Sequence, residues 1–176
     1  MKEITLLKSR YKRNGYLIFR KSDNLRKICK AIPEDLCGVY IYTIKENGKK
    51  RIIYIGCSGK IENGMPVCRQ KGGLRRRICG KQGNVSRDTF YKKAMEKKGV
   101  SELKIYWFDT ETDDPEFIEY DLILNYIIRE KEFPEILRKL GWCSWDSLGQ
   151  SVNMDAVVDK VKELKEKEVP VQWGLI

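Results

Sequence analysis

The chain has 176 residues, with 35 Lys and Arg against 25 Asp and Glu and no histidine, so its formal net charge is +10. This length predicts one domain with short extensions, and no apolar run long enough for a transmembrane helix or a signal peptide occurs, which predicts a cytoplasmic protein without a membrane partner. Residues 1–30 and 60–98 carry net charges of +8 and +9, whereas residues 99–176 carry −8. Two basic blocks predict a polyanionic partner, with a solvated lysine-rich surface as the alternative.

The hydrophobic pattern and the turn signals predict an α+β fold with a small three-stranded antiparallel sheet flanked by helices. A Ser N-cap at Ser86 and a Pro in the first turn at Pro115 each mark the beginning of a helix. The predicted elements, in chain order, are an arm with a short strand near residues 16–19, a helix over 23–31, a hairpin over 38–56, a loop over 56–73, helices over 74–79 and 87–98, a strand over 103–108, and helices over 115–131, 134–140 and 155–167.

The hairpin has two possible registers. Val-, Ile- and Tyr-rich segments flank Asn47-Gly48, which is a common hairpin turn. If the turn has two residues, Tyr54 lies opposite Ile41, and Tyr40 faces the other side of the sheet. If the loop has three residues, Tyr40 lies opposite Tyr54 and both hydroxyls share one face. The sequence permits both registers, and ordinary strand packing is the alternative role for the two tyrosines.

A run of arginines follows the glycine-rich loop, in the segment Gly-Leu-Arg-Arg-Arg-Ile over residues 73–78. Leu74 and Ile78 are one helical turn apart and are predicted to face the sheet, with Arg77 beside that apolar stripe. The planar guanidinium of an arginine can bind a phosphate through two hydrogen bonds and neutralise the charge that builds on it. Plain solvation is the alternative for any single arginine of this helix.

The helix over 115–131 carries a candidate metal ligand. Glu119 falls at the border of the buried face, so its carboxylate is predicted to reach a cleft. One carboxylate completed by water and a phosphate oxygen suits Mg²⁺. The alternative is an ordinary carboxylate on a helix face.

These elements together resemble a known family. Gly38-Val39-Tyr40, Tyr54-Ile55-Gly56, the Leu-x-x-Arg segment that ends at Arg77, and Glu119 occur in the order typical of the GIY-YIG nuclease superfamily. The resemblance covers roughly residues 37–132 and departs from the family by Val39 in place of Ile, by a longer loop, and by Lys131 where the family has an Asn.

The resemblance implies metal-dependent hydrolysis of phosphodiester bonds in double-stranded DNA. Tyr40 or Tyr54 would position the attacking water, Arg77 would stabilise the charged transition state, and Glu119 would hold one Mg²⁺, for which Mn²⁺ can substitute. Lys81 would stand in for a family His or Tyr. Asn153 is the candidate for the family Asn.

The proposed architecture is an N-terminal basic arm, strand and helix over 1–36, a nuclease core over 37–153 with a basic insertion at 57–73, and a C-terminal helix and tail over 154–176. It predicts a compact restriction-type endonuclease, with a homodimer suited to palindromic sites. A catalytically inactive nucleic-acid-binding module and a structural interaction protein are the alternatives. The predicted DNA contacts are Lys60, Arg69, Lys71, Arg75 and Arg76.

The six cysteines contain no C-x-x-C pair. Without histidine, a zinc site would need four thiolates from widely spaced positions. The sequence therefore predicts reduced thiols.

Overall fold

The computed structural model describes residues 2–68, 71–82, 84–134 and 153–168. The chain divides into two compact units, Met1–Glu119 and Tyr120–Ile176. The first unit contains an antiparallel sheet with helices, and this confirms the predicted α+β class. No helix within the described ranges is both long and apolar enough to cross a bilayer.

The strands differ from the prediction in number. The described strands are β1 (Asn14–Arg20), β2 (Gly38–Glu46), β3 (Lys49–Ser58), β4 (Lys60–Glu62), β5 (Met65–Val67), β6 (Lys81–Gln82), β7 (Val85–Ser86) and β8 (Glu102–Asp109). The main sheet has four strands in the order β1-β8-β2-β3, so the prediction of three strands is wrong. The additional strand is β1, which pairs along its whole length with β8, a partner that no local sequence signal identifies.

The helices follow the predicted order with one addition. They are α1 (Lys2–Arg10), α2 (Leu25–Ile28, followed by a 3-10 turn over Cys29–Ala31), α3 (Gly73–Cys79), α4 (Arg87–Lys98), α5 (Pro115–Glu130) and α6 (Met154–Glu168). The addition is α1, where an arm was predicted. It forms because Ile4, Leu7 and Tyr11 recur at helical spacing and bury one stripe.

The hairpin of β2 and β3 reaches its register in an unexpected way. Asn47-Gly48 is a two-residue turn with positive φ at both positions, so the three-residue alternative is wrong. The register then shifts near the middle of the strands, because Ile53 is an extra residue of β3 between the pairs Thr43↔Ile52 and Tyr42↔Tyr54. This bulge brings Tyr54 to the face that Tyr42 occupies.

Helices α3 and α4 cover that face of the sheet. Helix α3 contacts β2 and β3, and α4 contacts α3 and α2. The Tyr42 hydroxyl donates a hydrogen bond of 3.0 Å to the Ile78 carbonyl, which ties α3 to the sheet.

The second unit has its own apolar cluster. Leu124 and Ile127 of α5 pack with Val158 and Val161 of α6. Residues 135–140 of the helix predicted over 134–140 lie outside the described residues. The division into parts at residues 36 and 153 stays a prediction.

Candidate functional site

A cluster of buried tyrosines lies between the hairpin and α4. We call Tyr40, Tyr42, Tyr54 and Tyr91 the tyrosine cluster. The Tyr40 and Tyr54 rings are 5.8 Å apart between centroids, and Tyr42 stacks on Tyr91 at 4.4 Å. Tyr40 and Tyr54, the predicted pair, therefore do lie together, although Tyr40 is opposite Gly56 in the sheet. Burial, and then the neighbouring Tyr40, raise the pKa of Tyr54 well above its ordinary value.

A buried arginine that the sequence analysis missed completes this cluster. Arg87 Nη1 donates a hydrogen bond of 2.9 Å to Tyr40 Oη. Arg87 occupies the first position of α4, after the Ser86 cap. A cation there opposes the helix dipole, and that unfavourable placement was the available sequence signal.

A second group of side chains surrounds Cys57 near the end of β3. Burial, followed by the charge of Glu119 and a hydrogen bond to it, raises the pKa of the Cys57 thiol, with a smaller contribution from Glu116. Arg77 acts on the same thiol in the opposite direction. We call Cys57, Arg77, Glu116 and Glu119 the Cys57 cluster. Glu119 is buried and Glu116 is exposed.

The outer side of α3 lines a cationic pocket with a volume of about 690 Å³. Its basic lining residues are Arg26, Lys71, Arg75, Arg76, Arg77 and Lys81. Glu34 is the acidic residue of the lining. Arg75 is held in place there, because its Nε donates to the Ile32 carbonyl at 2.7 Å and its Nη2 to the Lys30 carbonyl at 3.2 Å.

The remaining predicted residues lie in different places. Lys81 is exposed at the start of β6 and belongs to the pocket, whereas Lys60 is ion-paired with Glu62 on β4. Asn153 caps α6, because its Oδ1 accepts from the backbone of residues 155 and 156 at 3.1 and 3.2 Å. Arg69 lies outside the described residues. The roles assigned to these side chains stay predictions.

The predicted Mg²⁺ site rests on Glu119 alone. Its carboxylate interacts with the Cys57 thiol, which is a soft partner unlike the oxygen ligands that Mg²⁺ prefers. Within the described ranges, no three His, Cys, Asp or Glu side chains are grouped so that they could hold a metal ion. Metal dependence, the double-stranded DNA partner and the homodimer stay predictions.

Comparison with known proteins gives a different family from the one that the motifs resemble. Residues 79–176, more than half of the chain, match the family model described as raffinose synthase or seed imbibition protein Sip1. The matched segment includes α4, β8, α5 and α6, and therefore Arg87, Glu116 and Glu119. No curated protein and no solved structure matches the chain.

This match overturns the nuclease prediction. The resemblance to GIY-YIG enzymes rested on two tripeptides and one arginine, all of which precede residue 79, and on Glu119. The inferred DNA endonuclease activity, its restriction-type role and the non-catalytic alternatives are wrong for the same reason. Short motifs that recur in hairpins and helices led to the wrong family. The chain belongs to the raffinose synthase or seed imbibition protein Sip1 family.

Proposed function

We propose that this chain binds an oligosaccharide and acts on one of its glycosidic bonds through the carboxylates of the Cys57 cluster. The observation that carries the proposal is the family match, because the family description names a synthase of raffinose, an oligosaccharide. Reactions at glycosidic bonds commonly use two carboxyl groups, one that protonates the leaving oxygen and one that acts on the opposite side.

The first turns of α5 present two such groups. Glu116 and Glu119 are three residues apart on one helix, so their side chains share a face. The charges of both carboxylates act on the Cys57 thiol, which supports a shared role for them. The buried Glu119 is shielded from water and the exposed Glu116 is open to it. This difference suits a proton donor at Glu119 and a group that activates water or an acceptor hydroxyl at Glu116.

Arg77 supports the same assignment. Its charge acts on the same Cys57 thiol as the two carboxylates do, in the opposite direction. A guanidinium donates several hydrogen bonds in fixed directions, which suits the neighbouring hydroxyls of a sugar ring. Arg77 therefore orients the sugar while the carboxylates transfer protons.

The test is turnover of a defined sugar by the full chain. Wild-type protein is incubated with raffinose and with isotopically labelled sucrose as acceptor, and both the released sugars and the label incorporated into raffinose are measured by chromatography. We expect Glu119→Gln and Glu116→Gln to lower the rate by about 100-fold or more. Glu130→Gln is the matched control, because Glu130 is an exposed carboxylate at the other end of α5.

The outcomes separate the function from the residue assignment. Absence of both raffinose binding, measured by calorimetry, and product formation would overturn the proposed function. Turnover that survives both carboxamide substitutions would overturn the assignment of Glu116 and Glu119 alone.

The cationic pocket favours a second candidate function, the binding of a ligand that carries phosphate. Six basic side chains and one acidic side chain line it, which favours an anionic occupant. Arginine guanidinium groups and lysine ammonium groups are the usual protein partners of phosphate oxygens.

Calorimetric titration with inorganic pyrophosphate tests this candidate. We expect Arg76→Ala and Lys81→Ala each to weaken binding several-fold, because each removes one cation from the pocket. Lys97→Ala on α4 is the control, since Lys97 is exposed and does not line the pocket. Equal binding by all three variants would contradict a phosphate site in this pocket.

A further inference from the structure

Two thiols at the base of the β4–β5 hairpin lie against each other. Cys37 Sγ and Cys68 Sγ are 2.9 Å apart although 31 residues separate them in the chain. Cys37 precedes β2 and Cys68 follows β5. We propose that this pair is a redox modification site, at which a peroxide converts the two thiols into a disulfide that fastens the β4–β5 hairpin to the beginning of β2.

Two glycines leave room for the pair. A Cβ at Gly59 would lie 2.8 Å from Cys37 Cβ, and a Cβ at Gly73 would lie 3.0 Å from Cys68 Sγ. Both glycines have positive φ, so side chains are disfavoured at these positions by conformation as well as by space. The sulfurs need to approach by about 1 Å to bond, a movement that side-chain rotation can supply.

The two thiols differ in their access to an oxidant. Burial and the hydrogen bond with Cys68 raise the pKa of Cys37 to about 12, so Cys37 stays protonated near neutral pH. Cys68 is partly exposed. A peroxide from solvent therefore reaches Cys68 first, and the buried Cys37 acts as the resolving thiol.

The reaction balances with hydrogen peroxide as the oxidant. The Cys68 thiolate attacks one peroxide oxygen, the O–O bond breaks, and the products are a sulfenic acid and hydroxide, which takes a proton to become water. The Cys37 sulfur then attacks the Cys68 sulfur. The S–O bond breaks, and the hydroxyl leaves as water with the Cys37 proton. Two thiols and one peroxide thus give one disulfide and two waters.

The disulfide would fix one wall of the cationic pocket. Gly72 N donates to Asp35 Oδ1 at 3.2 Å, and Leu74 N donates to the Leu36 carbonyl at 2.9 Å. The beginning of α3 is therefore already attached to the residues before Cys37. A covalent bond at Cys68 would add a further attachment close in sequence to Lys71 and Gly72, both of which line the pocket.

The test is peptide mapping of the full chain after treatment with hydrogen peroxide. Free thiols are blocked with N-ethylmaleimide, and the protein is digested without reductant and examined by mass spectrometry. We expect the intact protein to lose two hydrogens and a peptide that links Cys37 to Cys68 to appear. Dithiothreitol should reverse both changes.

A matched pair of variants identifies the thiols. Cys68→Ser should abolish the link, and the partly exposed position of Cys68 makes a folded variant the expected result. Cys79→Ser should keep the link, because Cys79 is also partly exposed but interacts with Cys29. As a second readout, we expect trypsin to cleave after Lys60 and Lys71 several-fold more slowly in the oxidised wild type than in the reduced protein.

Three results would overturn the proposal. They are free Cys37 and Cys68 after the treatment, a link from either of these two thiols to a different cysteine, and irreversible oxidation of Cys68 without any link to Cys37. The mapping is done on wild-type protein, so it decides the question even if a variant folds poorly.

Discussion

Arg87 Nη1 donates a hydrogen bond to Tyr40 Oη, and this contact joins the first turn of α4 to the third residue of β2. Tyr40 is fully buried and Arg87 is 4 % exposed. The guanidinium carbon lies 5.9 Å from the centre of the Tyr40 ring. A buried cation that loses a hydrogen-bond acceptor keeps its desolvation cost, so the Tyr40 hydroxyl is important for stability.

Tyr40→Phe should therefore lower the free energy of unfolding by about 1.5–3 kcal/mol, the range for a hydrogen bond to a charged group. The measurement is urea unfolding at neutral pH. Tyr16→Phe is the matched control, because Tyr16 is 52 % exposed and should change stability by less than about 0.5 kcal/mol. Equal effects of the two substitutions would contradict the importance of the Arg87 contact.

Gly56 is required by the close packing of the tyrosine cluster. A Cβ there would lie 2.6 Å from Tyr40 Cζ and Oη and 2.7 Å from Tyr54 Cε1. Both rings are buried, so they have little room to move, and Gly56→Ala should cost about 2–3 kcal/mol of unfolding free energy. Gly48→Asn is the control, because nothing lies within 4 Å of a Cβ at Gly48 and Asn tolerates positive φ. A small loss for Gly56→Ala would show that the rings move aside.

The sequence predicts the elements of this fold better than their pairing. Ser86 caps α4 and Asp114 precedes α5 as expected. Such caps can be predicted because their side chains bond to backbone groups only a few residues further along the chain. The strand near residues 16–19 was identified, but its place beside β8 was not, because that pairing joins segments more than 80 residues apart. The sequence also permits two registers for the hairpin, since no local signal marks the bulge at Ile53.

The candidate sites are also predictable only where residues close together in the sequence determine them. Tyr42 is two residues from Tyr40 in one strand and so shares its face, an inference that the alternation of strands allows. Arg87 reaches the tyrosine cluster only because α4 packs over β2, which is a tertiary arrangement. The nearness of Cys37 to Cys68 likewise depends on how the β4–β5 hairpin folds back. Family membership rests on a match over residues 79–176, whereas the two tripeptides and the arginine that resemble the nuclease family all precede residue 79.

Asp113 attaches α1 to the loop after β8. Its Oδ2 accepts from Tyr11 Oη at 2.7 Å and from Arg10 Nε at 3.1 Å. Asp113→Ala removes both contacts and leaves the Tyr11 hydroxyl without this acceptor, so we expect a loss of about 1–2 kcal/mol. Arg10→Ala should cost less, about 0.5 kcal/mol, because Arg10 is exposed.

Hydrogen exchange of the α1 amides is the measurement for this prediction. Exchange should be faster in Asp113→Ala than in the wild type, whereas exchange in β2 should follow only the change in global stability. Burial, and then the hydrogen bond to Asp113, raise the pKa of Tyr11 above its ordinary value. The neutral phenol is therefore favoured in the folded protein, and this contribution to stability is lost as the pH rises above about 10. If α1 exchanges equally fast in both proteins, Asp113 does not hold the helix.

The Cys79 thiol should titrate near neutral pH. A hydrogen bond from Cys29 is the largest cause, and with help from Arg26 and Arg75 it lowers the pKa of Cys79 from 9.0 to about 7 against the opposing effect of partial burial. The pKa of Cys29 is raised instead, mainly because of its hydrogen bond with Cys79 and its burial. In the folded protein the pair therefore holds one proton above pH 7, which stays on Cys29.

The free energy of unfolding depends on pH because the folded and unfolded chains hold different numbers of protons on Cys29 and Cys79. Between pH 7 and 9 the unfolded chain holds a proton on both thiols and the folded chain on one, so stability from this pair rises with pH. Above pH 9 the unfolded chain loses both protons while folded Cys29 keeps its own, so this stability falls again. Urea unfolding across this range should show the rise in the wild type and lose it in Cys79→Ser. Alkylation of Cys79 by iodoacetamide should have its midpoint near pH 7, and a midpoint near 9 would show that Cys29 does not stabilise the thiolate.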